Sequence, residues 1–168
     1  MNAVLKLRPR DDDDQPFLTH LFALTVSERL RLWHWDAGEA QKIVDQQFHA
    51  HSEHYRQLDE EKSDVIIELD DQSVGRMLWF HNRDEIRLAD ISLLPECRGR
   101  GIGTAAIETL KSFSVQGKRP LRLHVEKFSN AVRLYLRQGF YLLEDRETHL
   151  YLEWHGEGMT TKKTFVTA

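Results

Sequence analysis

The stretch Leu93–Thr104, with the sequence LLPECRGRGIGT, joins an apolar strand to an amphipathic helix. It carries glycines at three alternate positions, Gly99, Gly101 and Gly103. Glycine lets the backbone approach a ligand closely because it has no Cβ. The first amides of a helix have no intrahelical partner, and the helix dipole favours an anion at that end. With Arg98 and Arg100 adding positive charge, this loop is predicted to hold a pyrophosphate group.

Three other interpretations of the loop can be compared with its residues. A Walker phosphate loop needs a Gly-Lys-Ser/Thr ending, which the stretch lacks. A dinucleotide fingerprint beginning at Gly99 needs a glycine where Thr104 stands. Both nucleotide interpretations therefore fail, whereas a structural turn without a ligand stays open at this point.

The residues before the loop predict one strand, two helices and three strands. Hydrophobic residues recur at helical spacing in both helices, and Asp36 with Glu39 three residues later resembles a capping box for the second. Val44, Phe48, His51, Tyr55 and Leu58 form one face of that second helix. The predicted elements are a strand Val4–Arg8, helices around Phe17–Leu24 and Asp36–Leu58, and strands Val65–Leu69, Val74–His81 and Glu85–Leu94.

The residues after the loop predict an alternation of helix and strand. The helix Arg100–Gln116 has an inner face formed by Ile102, Ala106, Leu110 and Phe113. It is followed by a strand Leu121–Glu126, a helix Asn130–Gln138, and a final hairpin of Phe140–Leu143 and His149–Trp154. This order predicts a mixed sheet with helices on both faces.

Composition narrows the classes of function. The 168 residues include 23 Lys and Arg against 27 Asp and Glu, a net charge of −4. This argues against nucleic acid as the main partner and is compatible with a cationic or amine substrate. No apolar stretch approaches the ~18 residues of a membrane span, so no membrane partner is expected. The single cysteine, Cys97, excludes an internal disulfide and fits a reducing cytoplasm.

A second segment extends the interpretation of the loop. Asn130–Phe140 reads NAVRLYLRQGF. Arg98-x-x-Gly101-x-Gly103 resembles the acetyl-CoA pyrophosphate motif of the GNAT superfamily, R/Q-x-x-G-x-G/A. The second segment is similar to that family's N-x-A-x-x-L-Y-x-x-x-G-F. Ala131 directly follows Asn130, so the asparagine is one position from its place in the motif, while the tyrosine and the final Gly-Phe are in register.

The resemblance covers roughly Val4–Trp154 and implies the fold. This fold is α/β (α+β): a single GNAT-like domain at residues 1–155, followed by a polar tail at 156–168. Its central sheet is mixed and mostly antiparallel, with helices on both faces and two neighbouring parallel strands that splay apart. A homodimer is one expected state, because such domains often pair.

The resemblance also implies an enzyme, an acetyl-CoA-dependent N-acetyltransferase, and assigns its cofactor residues. The strand edge at Ile91, Leu93 and Leu94 would pair with the pantetheine arm, and Asn130 would contact that arm. Tyr135 would lie beside the thioester sulfur as a general acid, although a tyrosine packed in the core is the alternative. The pyrophosphate would meet the amides of Arg98, Gly99, Arg100, Gly101, Ile102, Gly103 and Thr104.

The strand before the loop has an irregular pattern of its own. Alternation places Ile86, Leu88 and Asp90 on one face, but the residues that follow are apolar on both faces. A bulge near Ser92 would account for the change. In the expected mechanism a neutral amine attacks the acetyl carbonyl directly, and a main-chain amide near Leu93 or Leu94 stabilises the oxyanion.

The general base is the least determined part of the site. Asp90 is a candidate because it shares a strand face with Ile86 and Leu88, where burial would raise its pKa. His124 and Glu126 are candidates because they lie with Arg122 on one polar face of a strand expected to be central. A structural cluster of salt bridges involving Arg122 is an equally good interpretation. The resemblance implies an acceptor pocket near Trp33, Trp35, His51 and Tyr55, while packing is an equally good interpretation of these residues.

Two further alternatives concern ligands and function. His51 and His54 have a helical metal-ligand spacing, but no third ligand is evident, so no metal is expected. The acceptor would be a primary amine on a small molecule or a protein. A catalytically degenerate acyl-CoA-binding or regulatory module of the same fold is the alternative to an enzyme.

Overall fold

The computed structural model describes residues 4–31, 34–56 and 61–158, the side chains of residues 52, 55 and 56 excepted. The helices are α1 (Gln15–Leu30), α2 (Ala37–Arg56), α3 (Ile102–Gly117) and α4 (Ala131–Arg137). The strands are β1 (Leu5–Pro9), β2 (Glu61–Leu69), β3 (Gln72–His81), β4 (Ile86–Leu93), β5 (Leu121–Glu126), β6 (Tyr141–Asp145) and β7 (His149–Trp154). The predicted order of strands and helices is confirmed.

All seven strands form one sheet in the order β1-β2-β3-β4-β5-β7-β6. Within the described residues, β4 and β5 are the one parallel pair. Their connection is α3, as a parallel crossover requires. The mixed, mostly antiparallel sheet predicted from the sequence is therefore confirmed.

Alternation along the central strands divides the apolar side chains between the two faces of the sheet. Met77 and Trp79 of β3 join α3 and Tyr135 of α4 in one buried core. Leu78, on the other face, lines a cavity together with Phe22 of α1 and Phe48 of α2. Helices thus cover both faces, with α3 and α4 on one side and α1 and α2 on the other.

The inner face of α3 differs from the predicted one at its C-terminal end. Phe113 is 44% exposed, while Ser114 is fully buried and its hydroxyl donates to the carbonyl of Arg119. The apolar stripe of a 3.6-residue helix passes through Ile107 and Ser114, which leaves Phe113 at its border. There its ring stacks on Trp79, with 6.3 Å between ring centroids.

The parallel pair splays apart after a short ladder. The first three residues of β4, Ile86–Leu88, pair with Leu121–Leu123 of β5, and the register ends there. Beyond Leu88 the β5 side of β4 is open to the cavity described below. The splayed pair of parallel strands is thus present at the position that the sequence predicts.

A β-bulge lies in β4 at Ala89, three residues before the position expected near Ser92. Leu78 of β3 pairs with Asp90, whereas the next residue, Trp79, pairs with Leu88, so that Ala89 is extra. One extra residue reverses the face of every side chain that follows it. Asp90 therefore lies on the α1/α2 face with Leu78, and its predicted position on the face of Leu88 is wrong.

Candidate active site

The glycine loop has the backbone that its sequence predicts, and its surface is open. Gly99 and Gly101 have φ angles of 70° and 81°, in the left-handed region that favours glycine. A Cβ built at either residue would meet no heavy atom within 4 Å. A Cβ at Gly103 would make only ordinary contacts, 3.7 Å from Leu134 and 3.8 Å from Leu93. The rest of the protein therefore leaves room for a ligand at this loop.

The amides of this loop are oriented by the start of α3. The first helical hydrogen bond runs from the Ala105 amide to the Gly101 carbonyl, at 3.0 Å. The amides of Ile102, Gly103 and Thr104 therefore precede the helical ladder and point out of its N-terminus. Gly99–Thr104, named here the phosphate loop, thus combines left-handed glycines with exposed donors.

Arg98, one of the residues predicted to contact the pyrophosphate, is hydrogen-bonded within the protein. Its amide donates to the carbonyl of Pro95 at 3.2 Å. Its guanidinium donates to Glu28 of α1 at 2.7 Å and to the carbonyl of Leu93 at 3.0 Å. Both groups already have protein partners, so Arg98 ties the loop to α1, while Arg100 is the exposed loop cation.

The free edge of β4 presents Ile91 and Leu93 to the splay, but not Leu94. The Leu94 amide donates to the Val74 carbonyl at 2.9 Å, which makes these two residues a hydrogen-bonded pair across the β3–β4 ladder. Hydrogen-bonded and non-hydrogen-bonded pairs alternate in an antiparallel ladder. The backbone groups of Leu93, opposite Gly75, and of Ile91 therefore point away from β3. A role for the Leu94 amide in pairing or in an oxyanion hole does not fit this geometry.

A cavity of about 220 Å³ occupies the splay between β4 and β5. Residues of both strands line this splay cavity, and Tyr135 of α4 lies at its wall. Tyr135 is 6% exposed, and its ring packs edge-on against Phe140 with centroids 5.5 Å apart. Burial, with a smaller contribution from the charge of Asp90, raises the pKa of the Tyr135 phenol. The phenol therefore stays protonated across the physiological pH range.

Asp90 lines the splay cavity and also a cleft between the sheet and helices α1 and α2. The Ser92 hydroxyl donates to its carboxylate, at 3.1 Å to Oδ1 and 3.3 Å to Oδ2. Burial raises the pKa of Asp90, opposed by the charges of Arg76 and His51 and by the Ser92 hydrogen bond. A carboxylate with a raised pKa between two cavities is suited to proton transfer.

His124 and Glu126 of β5 also line the splay cavity, on the same face of the sheet as Asp90. The His124 ring stacks on Tyr151 with centroids 4.4 Å apart, and burial lowers its pKa. Glu126 is exposed. Arg122, two residues before His124, forms 2.7 Å salt bridges with two glutamates and belongs to a structural cluster. The structure thus brings all three candidate bases to one cavity, with Asp90 the least exposed.

Asn130 precedes α4 beside this cavity. Its side chain is exposed and makes no capping hydrogen bond to the helix. The Ser129 hydroxyl instead accepts from the Ala131 amide, at 3.2 Å. The Asn130 amide group is therefore not used in capping α4.

The match to a known family comes from a comparison of the sequence with family models. The model described as the Acetyltransferase (GNAT) family matches residues 27–140. The chain belongs to this family. A comparison with curated proteins gave no significant match.

Solved structures of GNAT acetyltransferases share the fold at low sequence identity. The PaiA N-acetyltransferase from Thermoplasma acidophilum, in complex with coenzyme A, superimposes with a TM-score of 0.70 at 14% identity, covering 91% of this chain and 99% of that one. An acetyltransferase from Thermus thermophilus gives 0.64 at 20% identity, with 90% and 96% covered. The Campylobacter jejuni N-acetyltransferase PseH, in complex with acetyl coenzyme A, gives 0.57 at 14% identity, with 90% and 99% covered. At these identities the likeness concerns the GNAT fold.

Of the four residues predicted for the acceptor pocket, His51 lies in a cleft of the described structure. His51 lies in the cleft between the sheet and α1 and α2, beside Phe22 at 5.1 Å between ring centroids. This α1/α2 cleft has a volume of about 300 Å³ next to Asp90. Trp35 is 53% exposed and is not among the described residues that line the cleft. Trp33 and the side chain of Tyr55 lie outside the described residues.

Several cleft residues were not predicted. Arg76 of β3 and Arg29 of α1 line the cleft together with Ser92 of β4. Arg76 forms a two-armed salt bridge to Asp64, at 2.7 and 2.8 Å. The sequence pattern that could have identified Arg76 is an arginine inside the apolar strand VGRMLWF, because a charge in such a strand needs a partner.

Neither a metal site nor a membrane-spanning helix is present within the part of the chain that the structure describes. No group of three or more His, Cys, Asp or Glu side chains has the arrangement of a metal site. None of the helices in residues 4–31, 34–56 and 61–158 is long and apolar enough to cross a membrane.

Proposed function

We propose that this GNAT domain transfers an acetyl group from acetyl-CoA to a primary amine, by direct attack with both substrates bound. The observation that carries the proposal is the position of the splay cavity. Tyr135 lines it on one side and Asp90 on the other, and Asp90 also opens onto the α1/α2 cleft. An acetyl group in the splay cavity could therefore meet an amine entering from the cleft.

The cofactor fits the residues present. The phosphate loop offers open space above two left-handed glycines, where a diphosphate can approach the backbone. The free edge of β4 offers the main-chain groups of Ile91 and the amide of Leu93 to an extended amide chain, while the Leu93 carbonyl accepts from Arg98. When bound, acetyl-CoA supplies an activated thioester, whose acetyl carbonyl is open to an amine.

Tyr135 would act by hydrogen-bond donation to the departing sulfur. Its raised pKa keeps the phenol protonated but makes it a weaker acid than a thiol, whose pKa is near ~8.5. Complete proton transfer from the phenol to the thiolate is therefore unfavourable. A hydrogen bond from the phenol O–H still stabilises the negative charge of the thiolate. This refines the general-acid role expected from the sequence.

Asp90 would remove the proton that the attacking amine must lose. The pKa of Asp90 is raised and is therefore closer to the pKa of the amine than that of an exposed carboxylate would be. This makes Asp90 a better base. The Leu93 amide, at the free edge of β4, would stabilise the oxyanion. His124 and Glu126 are less suited to act as the base because both side chains are exposed on β5.

The test combines binding and turnover. Calorimetry should show acetyl-CoA binding, and thiol release should follow when an amine is added. The second function, an acyl-CoA-binding module, would be indicated by tight binding with no transfer to any amine. Absence of acetyl-CoA binding would contradict both functions.

A further inference from the structure

The α1/α2 cleft continues beyond Asp90 into a second cavity. This outer cavity has a volume of about 450 Å³, and the inner part next to Asp90 about 300 Å³. The two share Leu18, Phe22, His51 and Arg76 in their walls. Together they form one elongated groove from Asp90 at the inner end to Lys62 of β2 and Arg10 at the outer end.

The groove carries a charge opposite to that of the whole chain. Among the described residues, four permanent cations line it, Arg10, Arg29, Lys62 and Arg76, against two carboxylates, Asp64 and Asp90. The groove thus has a net charge of +2 if both carboxylates are ionised, while the chain has a formal charge of −4. Such a concentration of positive charge between low-dielectric walls attracts anions and repels polycations. The cationic substrate compatible with the net charge does not fit this groove.

The charges are also separated along the groove. Asp64 is held by Arg76 at 2.7 Å and lies 3.5 Å from Arg10, so its charge is offset locally. Lys62 is exposed at the outer end, on the same face of the sheet as Asp64. Between Asp90 and this outer end the wall is largely apolar, formed by Leu18, Leu21, Phe22, Phe48 and Leu78.

We propose that the acceptor is an amine that carries an anionic group, carboxylate or phosphate, separated from the amine by an apolar spacer. The amine lies at Asp90, the spacer lies along the apolar wall, and the anion is bound by Lys62 and Arg10. This inference rests on the proposed function, because it takes Asp90 as the position of the reacting amine. It names a substrate class and leaves the transfer chemistry unchanged.

The first experiment compares acceptors of equal chain length. The amines are 6-aminohexanoate, 6-aminohexyl phosphate, hexylamine and 1,6-diaminohexane, and thiol release gives kcat/KM for each. Charge-assisted hydrogen bonds are worth roughly 1.5–3 kcal/mol, so at least one anionic amine should exceed hexylamine by about tenfold or more. The two anionic amines distinguish a carboxylate from a phosphate. Hexylamine or diaminohexane as the best acceptor would overturn the proposal. The carboxylate of β-alanine lies close to its amine, so a higher kcat/KM for β-alanine than for 6-aminohexanoate would refute the spacer.

The second experiment places the anion at Lys62. Lys62→Glu should lower the ratio of kcat/KM between the preferred anionic amine and hexylamine by about tenfold. The matched control is Lys42→Glu, which makes the same charge change at an exposed position of α2 outside the groove. An equal fall of the ratio in both variants would show a general charge effect and overturn the subsite. Thermal melts of both variants verify folding, and Lys62→Met provides an uncharged second variant.

A binding measurement separates the two proposals. Hexyl phosphate and hexanoate contain no amine and can be titrated into the protein without acetyl-CoA. At least one should bind to the unmodified protein and to Lys42→Glu, with affinity about tenfold lower for Lys62→Glu. Anion binding without acetyl transfer to any amine would refute the proposed function alone. Acetyl transfer with no preference for anionic amines would refute this inference alone.

Discussion

The phosphate loop and the α1/α2 cleft differ in how far apart in the chain their parts lie. The phosphate loop is six consecutive residues, Gly99–Thr104, and its proposed function depends on main-chain conformation. The cleft and its outer cavity take charged side chains from several elements, including Arg29 of α1, Lys62 of β2, Arg76 of β3 and Asp90 of β4. A site made of backbone is encoded locally, whereas a site made of side chains depends on the register of the whole sheet.

The largest effect is expected from a change to the phosphate loop. Gly101→Glu forces a side chain into the left-handed region and puts a carboxylate where phosphates would lie. Like charges brought together at an interface cost several kcal/mol, so acetyl-CoA affinity should fall at least about 1,000-fold. The measurement is calorimetric titration with acetyl-CoA.

Gly158→Glu is the matched control for this change. Gly158 also has a positive φ, 79°, and open space within 4 Å of its Cβ position, but it follows β7. This control should leave acetyl-CoA affinity unchanged. Equal losses in both variants would refute the role of the phosphate loop.

Tyr135→Phe should have the next largest effect. Loss of the phenol O–H should lower kcat about 100-fold, the size typical of removing one hydrogen-bond donor to a developing anion, while acetyl-CoA affinity stays the same. Tyr141→Phe removes another phenol, whose O–H donates to buried Glu153 on β7, outside the cavity. That control should lower stability but not kcat. An unchanged kcat in Tyr135→Phe would refute the hydrogen-bond role and indicate that Tyr135 only packs in the core.

Asp90→Asn should lower kcat about 30-fold at pH 7. Removal of a general base usually costs about 100-fold or more. The smaller loss is expected because His51 in the same cleft can accept the proton. The deficit should shrink as the pH approaches ~10.4, where an alkyl amine loses its proton to solvent. A pH–rate profile measures this. A constant deficit at all pH values would exclude Asp90 as the base.

The same substitution tests the pKa of Asp90 through stability. Burial raises this pKa in the folded chain above the unfolded value of 3.8. The folded chain therefore binds a proton more tightly, and the free energy of unfolding falls as pH rises from that value through the folded pKa. Asp90→Asn should remove the part of this decrease in the free energy of unfolding that comes from Asp90. Urea titrations at a series of pH values measure it.

The smallest effect is expected at Arg98. Its guanidinium is already bound to Glu28 and the Leu93 carbonyl, so Arg98→Ala should weaken acetyl-CoA binding less than about threefold, the range of an exposed ion pair. Arg100→Ala, which removes the exposed loop cation, should weaken binding more. The reverse order, measured by calorimetry, would show that Arg98 leaves Glu28 to bind phosphate.

The parts predicted from the sequence are those with local signals. The strand and helix order follows from periodicity and turn residues, and the left-handed loop follows from Gly99 and Gly101. Tyr135 is placed at the splay by a segment that is continuous in the chain. Each of these depends on residues that are close to one another in the sequence.

The parts that the sequence did not predict depend on distant partners. No glycine or proline marks the bulge at Ala89, which lies opposite Leu78 and Trp79 of β3, and an error of three residues placed Asp90 on the wrong face. The partner of Arg98 is Glu28, 70 positions away. The positive groove requires the pairing of β2 with β3 and the packing of α1 on β3 and β4. None of these partners can be identified without the fold.

The most direct test of the central claim is a titration of the ¹⁵N-labelled protein with coenzyme A, followed through its amide resonances. The account predicts that the amides of Gly101, Gly103 and Thr104 shift together with that of Leu93 at the free edge of β4, all with one dissociation constant. Shifts confined to other parts of the chain, with these four amides unchanged, would contradict it.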